Sequence, residues 1–366
     1  MRNTFAYILH PVNRSGISGS SNFLQRCPPA IAGRLLSWLP PHQINGPRVI
    51  NSKYARIQGH IISSNVTQEQ LVRMPQNLTL KKVIKAGRLA VRLGAGIIGL
   101  GTLTALVDDA GTLIARNLKA AVTTGDCLAI AAALAGINRS AQLMELDLAE
   151  AKVLILNATG PVGNICARIL SREKVNYLTL ISKDQRRLDR LAENILKDCG
   201  VSCKVTTRIK EAVYNADVII VDGTVYNEAL STVELKPGAV VWYTRKQISE
   251  VSCMVNPRKD ILMFDSGMIR VPEVIGTNCY QNYPERVVEP ALAETMLLAL
   301  EARFERYSLG KHLRIDKIEQ ISRLADKHGF QPAGLSRSGY YLSDREILQV
   351  KEAAKKAIRG KNKSLI

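Results

Sequence analysis

The run Asn157-Ala-Thr159-Gly160-Pro161-Val162-Gly163 offers the clearest chemistry in the sequence. It follows the apolar run Lys152–Leu156 and precedes a helical pattern over Pro161–Arg172. That is the strand–turn–helix setting of a dinucleotide phosphate loop. Gly160 is expected to let the backbone approach a pyrophosphate, and Gly163 to let the helix pack close on the strand. Free N–H groups and the positive end of the helix would face the phosphates. Pro161 suits a first helical turn, where its missing N–H costs nothing. Asn157 stands where the usual pattern has its first glycine, and asparagine tolerates left-handed backbone. The expected contact set is Asn157, Thr159, Gly160, Pro161, Val162 and Gly163.

The end of the second strand decides which nicotinamide nucleotide fits. An NAD site places Asp or Glu there to grip the ribose hydroxyls. This sequence has Ser182-Lys183, with Arg186 and Arg187 one turn later. A carboxylate would repel a 2′-phosphate, whereas these groups attract it, so the expected cofactor is NADP(H). Asp184 is better placed as the helix N-cap. Gly223-Thr224 and Asp265-Ser266-Gly267-Met268 follow later strands, at ends that would face the nicotinamide crevice. Gly223, Thr224 and Gly267 are therefore candidate cofactor contacts, with ordinary turns as the alternative.

Other reactive side chains are scattered. The seven cysteines are Cys27, Cys127, Cys166, Cys199, Cys203, Cys253 and Cys279. An odd count at irregular spacing is no disulfide framework and suggests a reducing, cytoplasmic setting. Only Cys199 and Cys203 lie close together, with no third ligand at metal spacing, so no metal site is expected. His10, His60 and His328 are either general acids or internal hydrogen-bonding groups. Lys85 and Arg88 either meet an acidic ligand or form a solvated face.

Elements that would hold these groups alternate from Ala151 onward. Strand-like runs occur at Lys152–Leu156, 177–182, 204–207, 217–221, 239–244 and 261–264, with helices at 161–172, 184–198 and 211–215. Repeated βαβ units specify a Rossmann-type doubly wound parallel sheet. The fold class is α/β, with a second, mixed α/β substrate domain. Before it, residues 51–110 read as short strands and turns, and 111–145 as helix interrupted at 123–126 and ending an apolar stretch at Gly136. The glycine-rich apolar run 93–107 is too short to span a bilayer. Later, 285–307 reads as a long helix, 315–328 as an amphipathic one, and 351–363 as a solvated basic helix. The expected organisation is an N-terminal substrate domain over 1–145, an NADP-binding domain over 146–282, C-terminal helices over 283–345 packing back on the first domain, and a basic tail over 346–366.

Composition sets the outer limits. The chain has 366 residues, 46% of them hydrophobic and 22% charged, as in an ordinary globular protein. Fifty Lys and Arg against 32 Asp and Glu give a formal charge of +18. That surplus predicts anionic partners, and charge alone does not choose among them.

Several stretches together resemble the long-chain acyl-[acyl-carrier-protein] reductases, which reduce a fatty acyl thioester to an aldehyde with NADPH. They are Phe5–His10, the segment Thr123-Thr124-Gly125-Asp126, the loop Asn157–Gly163, Pro284-Glu285-Arg286, the stretch Ala293–Leu298 and His328-Gly329-Phe330-Gln331-Pro332. The resemblance implies NADP(H), an acyl-type substrate, free or carrier-bound, and an acidic carrier protein as partner. Anionic membrane association through the basic surface also fits the charge, and nucleic acid is not expected. The family's acyl-accepting cysteine falls at Ala291 here, which cannot form a thioester. Cys279, a little upstream, is the candidate replacement, and Glu294 on the same helix is a candidate pocket residue. The run Thr159–Gly163 also resembles methylene-tetrahydromethanopterin dehydrogenases, and a non-catalytic NADPH-binding sensor is a third reading. Shikimate dehydrogenases and glutamyl-tRNA reductases share the nucleotide domain; Ser64–Thr67 is similar to a segment of the former.

Overall fold

The computed structural model describes residues 3–10, 39–67, 70, 74–101, 111–173, 175–223, 234–244, 258–273, 283–310, 313–337 and 340–363. The chain divides into two compact units. One comprises Met1–Ala129 with Ile269–Gln331, the other Ile130–Met268 with Pro332–Ile366.

The second unit holds the doubly wound sheet. Its strands are β6 (Lys152–Leu156), β7 (Tyr177–Ile181), β8 (Lys204–Val205), β9 (Val218–Val221), β10 (Val240–Tyr243) and β11 (Leu262–Phe264). They lie in the order β11-β10-β9-β6-β7-β8, and every neighbouring pair is parallel. Renumbered from β6, this is the 3-2-1-4-5-6 order of the dinucleotide-binding fold. The continuous apolar runs are explained by burial on both faces: Val153, Leu154, Ile155 and Leu156 are all nearly inaccessible, as are Val218 to Val221. Helices Pro161–Arg172, Gln185–Cys199 and Ile209–Asn215 supply the crossovers. Asp184 caps the second of these by accepting the Arg187 N–H, as expected, and Gly200 ends it in left-handed geometry. The basic C-terminal segment is helical over Asp344–Lys363, and Lys351 and Lys355 both pair with Glu145.

The first unit has a mixed five-stranded sheet. Strands β1 (Thr4–Leu9), β2 (His42–Asn51), β3 (Arg56–Ser63), β4 (Ile97–Leu100) and β5 (Ala121–Thr123) lie in the order β2-β3-β1-β4-β5. All pairs are parallel except β2 with β3. On one face Ala6, Ile8, Ile62 and Ile98 form a core with Val83, Ala86 and Ala90. Those last three belong to the helix Gln76–Arg92, which corrects the expectation of strands and turns there. Its buried face is carried by Thr79, Val83, Ile84, Ala86, Gly87 and Ala90, where polar and small residues dilute the apolar pattern read from sequence.

Two further helices differ from expectation. Asp126–Met144 runs straight through Gly136, because a side chain at 136 would stand 2.4 Å from Leu335 Cδ2. The glycine is there for packing, not termination. That helix is long and apolar enough to cross a membrane, with 56% of its span buried in the protein. The preceding residues 121–123 form β5 instead of helix. The expected long helix at 285–307 is the shorter Pro290–Leu300, with β13 (Val287–Val288) before it. It stops because Ala302 turns left-handed at φ 51° and the Arg303 N–H bonds back to the Leu298 carbonyl at 2.8 Å.

Candidate functional site

The predicted loop sits where a doubly wound sheet binds ligands, at the carboxyl ends of β6 and β9, where the strand order reverses. Asn157 is left-handed at φ 61°, the geometry that its place in the pattern requires. Gly163 is needed for the expected reason. A Cβ there would stand 2.5 Å from the Asn157 carbonyl oxygen and 3.0 Å from Ala158 Cα. Pro161 occupies the first turn of the helix.

The hollow over Gly160 and the amides at the helix start meet a partner within the chain. The space that Gly160 leaves open is filled from within the protein: a Cβ there would lie 2.3 Å from Asp222 Oδ2 and 2.6 Å from Asn157 Nδ2. The N–H groups of Val162 and Gly163 both donate to Asp222 Oδ2, at 3.1 Å each. The Thr244 hydroxyl donates to Asp222 Oδ1 at 3.0 Å. Asn157 Nδ2 donates to the Asp222 carbonyl at 3.0 Å, and the Gly160 N–H turns back to the Asn157 carbonyl at 2.8 Å. Asp222 is 2% exposed. Helix N-terminal amides and helix dipole both favour an anion, and here the anion is a carboxylate of the chain itself. Asp222 carries no local signal in the sequence: it lies 59 residues beyond Gly163, on a strand end whose neighbours only the sheet order reveals.

At the end of β7 the basic cluster is on the surface. Lys183, Arg186 and Arg187 are exposed, while Ser182 is buried and its hydroxyl bonds that of Thr159. Arg187 reaches over the loop, with Nη2 3.4 Å from the Thr159 carbonyl. No acidic side chain other than the capping Asp184 follows this strand before Asp189. Gly223 is left-handed at φ 89° with open space beside it. Gly267 needs to be glycine because a Cβ would stand 2.2 Å from the Ala132 carbonyl oxygen. Thr224 and Cys279 lie outside the described residues. A cavity of about 350 Å³ lies at the opposite, amino-terminal ends of β6 and β7, lined by Lys152, Asn176, Tyr177 and Lys204. Open α/β sheets bind their ligands outside the carboxyl ends of the strands, the end opposite this cavity.

In the first unit the residues of the resemblance form a packed joint. Ala291 is 3% exposed, and a Cβ on Gly125 would stand 2.2 Å from its Cα. Glu294 is fully buried. It accepts the Thr123 hydroxyl, the Ser308 hydroxyl at 2.7 Å and the Leu128 N–H at 2.9 Å. Burial holds its carboxyl above the usual range, against the pull of those three hydrogen bonds. Burial and the neighbouring Glu294 also push the Cys127 thiol up, and burial does the same to Cys166. Neither is a thiolate nucleophile. Cys203, beside Cys199, is pushed up to about 11, again mainly by burial. Among the described residues no three His, Cys, Asp or Glu side chains gather as metal ligands would.

The histidines occupy three different settings. His10 Nδ1 lies 2.7 Å from Ser64 Oγ at the carboxyl ends of β1 and β3, and burial lowers its pKa to about 4. His328 bridges Glu301, at 2.6 Å, and Ser52, at 2.8 Å. His60 is buried with neither ring nitrogen paired among the described residues, and on the adjacent strand Gln43 Nε2 is likewise buried and unpaired among them. Lys85 and Arg88 are exposed on the helix Gln76–Arg92.

Comparison with known proteins adds a distant kinship. No family model matches the chain. The long-chain acyl-[acyl-carrier-protein] reductase of Synechococcus elongatus is 24% identical over 313 residues, 81% of this chain and 89% of that protein. Aminotransferase PigE of a Serratia strain is 22% identical over 311 residues, 84% of this chain; the chain spans only 36% of PigE's length. Among solved structures, L-tryptophan dehydrogenase from Nostoc punctiforme aligns over 97% of this chain and 89% of its own, with 11% identity and a TM-score of 0.37. D-mandelate dehydrogenase from Rhodotorula graminis aligns over 88% of this chain and 92% of its own, with 11% identity and a TM-score of 0.31. At those scores neither likeness bears on the activity. The chain is thus distantly related to an acyl-carrier-protein reductase and carries a Rossmann-type α/β fold of its own.

Proposed function

We propose that this protein is an NADP(H)-dependent oxidoreductase related to the acyl-carrier-protein reductases, acting on a carbonyl or acyl-type substrate that it holds without a covalent bond at residue 291. The observation that carries the reading is the exposed Lys183, Arg186 and Arg187 beside the Asn157–Gly163 loop, with no carboxylate in the ribose-gripping place. The nucleotide would supply the hydride. The chain would supply the charge that holds its 2′-phosphate and the turn that fits its diphosphate. The distant likeness to the Synechococcus reductase supports the acyl class of substrate. The net charge of +18 supports an acidic carrier as its bearer.

Fluorescence titration with NADPH and NADH tests the cofactor. NADPH should bind more tightly, and Lys183→Glu with Arg187→Glu should remove at least about tenfold of that preference while leaving NADH nearly unchanged. Equal affinity for the two nucleotides in the wild type would refute the assignment. Incubation with NADPH and acyl-carrier protein or acyl-coenzyme A, followed by aldehyde detection, tests the reaction. A second reading rests on the buried Ala291: the chain binds NADPH as a sensor and does not turn over. Tight NADPH binding with no oxidation of it across a panel of acyl thioesters and aldehydes would select that reading.

A further inference from the structure

From the geometry around Asp222 we infer that this carboxylate is a built-in competitor for the diphosphate position, and so sets the affinity of the nucleotide site. The inference rests on the proposed NADP(H) reading and goes beyond it. Two backbone donors at the start of helix Pro161–Arg172, those of Val162 and Gly163, are those that a dinucleotide loop offers to phosphate, and Pro161 between Gly160 and Val162 has none to add. Both converge on the same oxygen, Asp222 Oδ2. The other oxygen takes the Thr244 hydroxyl, and the Asp222 backbone is held by Asn157 and by the Leu156 carbonyl, which accepts its N–H at 3.1 Å. The carboxylate also fills the hollow over Gly160. The two amides and the hollow over Gly160 are already taken by an anion tethered within the chain.

A diphosphate entering the loop therefore meets a like charge in the place that it would take. It binds either beside Asp222, against repulsion, or after the carboxylate swings away towards Thr244 and gives up the two amides. Both routes weaken every ligand that carries a diphosphate, and by the same factor. The basic cluster at Lys183, Arg186 and Arg187 follows the end of β7, with Arg187 reaching the Thr159 carbonyl, and it favours a ligand with a 2′-phosphate. The two effects separate cleanly: Asp222 governs absolute affinity, and the cluster governs the choice between NADPH and NADH.

The test uses the full-length protein with Asp222→Asn and Asp222→Ala. The first keeps an acceptor for the amides and removes the charge, and the second empties the position. Binding of inorganic pyrophosphate, NADPH and NADH is measured by calorimetry and by the shift in melting temperature. Both variants should bind all three ligands about tenfold more tightly than the wild type, with the NADPH-to-NADH ratio unchanged. Wild-type and variant affinities that agree within twofold for pyrophosphate and NADPH would overturn the inference and leave the NADP(H) reading standing. A gain for pyrophosphate in the variants with no NADPH binding in any of the three proteins would uphold the inference and overturn the NADP(H) reading. If none of the three ligands binds to any of the three proteins, both fall. Circular dichroism identifies a variant that fails to fold, and the other variant then decides.

Discussion

Removing the Glu294 side chain should break the joint between the segment Thr123–Leu128 and the helix Pro290–Leu300. Its carboxylate is the shared acceptor for the Thr123 hydroxyl, the Ser308 hydroxyl and the Leu128 N–H, and none of it reaches solvent. In Glu294→Ala the two hydroxyls can rotate to new partners, but the Leu128 N–H is fixed by its helix and stays buried and unpaired. That stranded donor costs about 1–3 kcal/mol, and the cavity left by the missing side chain about 2 kcal/mol more. A loss of about 4 kcal/mol lowers the melting temperature by about 10 °C for a folding unit of this size. Glu294→Gln keeps an oxygen for Leu128 and an amide for the hydroxyls, and should remain within about 1 kcal/mol of the wild type. The pH dependence separates the variants further. Burial raises the Glu294 pKa in the folded state. A raised carboxyl contributes stability that is complete below the ordinary glutamate range and is lost as pH rises through the raised value. The glutamine variant cannot ionise, so it should gain on the wild type as pH climbs through that window. Urea denaturation from pH 4 to 8 measures both effects. An alanine variant as stable as the wild type, or parallel pH curves for wild type and Glu294→Gln, would refute this account of the buried carboxyl.

Other perturbations give equally direct outcomes. His10 is buried, and its pKa falls from 6.5 to about 4, so its contribution to stability is present above 6.5 and is lost as pH falls towards 4. The wild type should lose up to about 3 kcal/mol over that interval from this group, and His10→Asn should flatten the urea-derived curve there. Gly163→Ala places a methyl 2.5 Å from the Asn157 carbonyl oxygen, and the helix must move away from the strand. It should cost about 2 kcal/mol in thermal or urea unfolding and weaken NADPH binding, because the loop geometry shifts with the helix.

The sequence was enough to place the strand, the turn, the helix start and the N-cap at Asp184, because each of these is encoded within a few residues. Gly163 and Asn157 could be assigned their backbone tasks for the same reason: a close approach and a positive φ are local demands. That the six strands are parallel also followed from local alternation, since βαβ units close in few ways. The cations at 183, 186 and 187 were legible as well, since their place after a strand end is local in the sequence.

What tertiary structure alone decided depends on residues far apart in the chain. Helix Gln76–Arg92 mixes Thr79, Ala86, Gly87 and Ala90 with Val83 and Ile84 on its buried face, so its apolar stripe is diluted, and the sheet beneath it is what reveals it. Gly136 and Gly267 look like breakers or ligand contacts in the sequence, and packing against Leu335 and Ala132 accounts for both. Ala291 carries no local signal of its packing, and only the fold shows that its backbone lies against Gly125. The central case is Asp222. A lone aspartate after an apolar strand carries no local signal, and its meaning comes from the sheet order that sets β9 beside β6 and brings its carboxylate to the amides of Val162 and Gly163. The sequence by itself determined that a glycine turn joins strand to helix at Asn157–Gly163; three-dimensional adjacency determined which anion meets its amides, because charge acts through space and not along the chain.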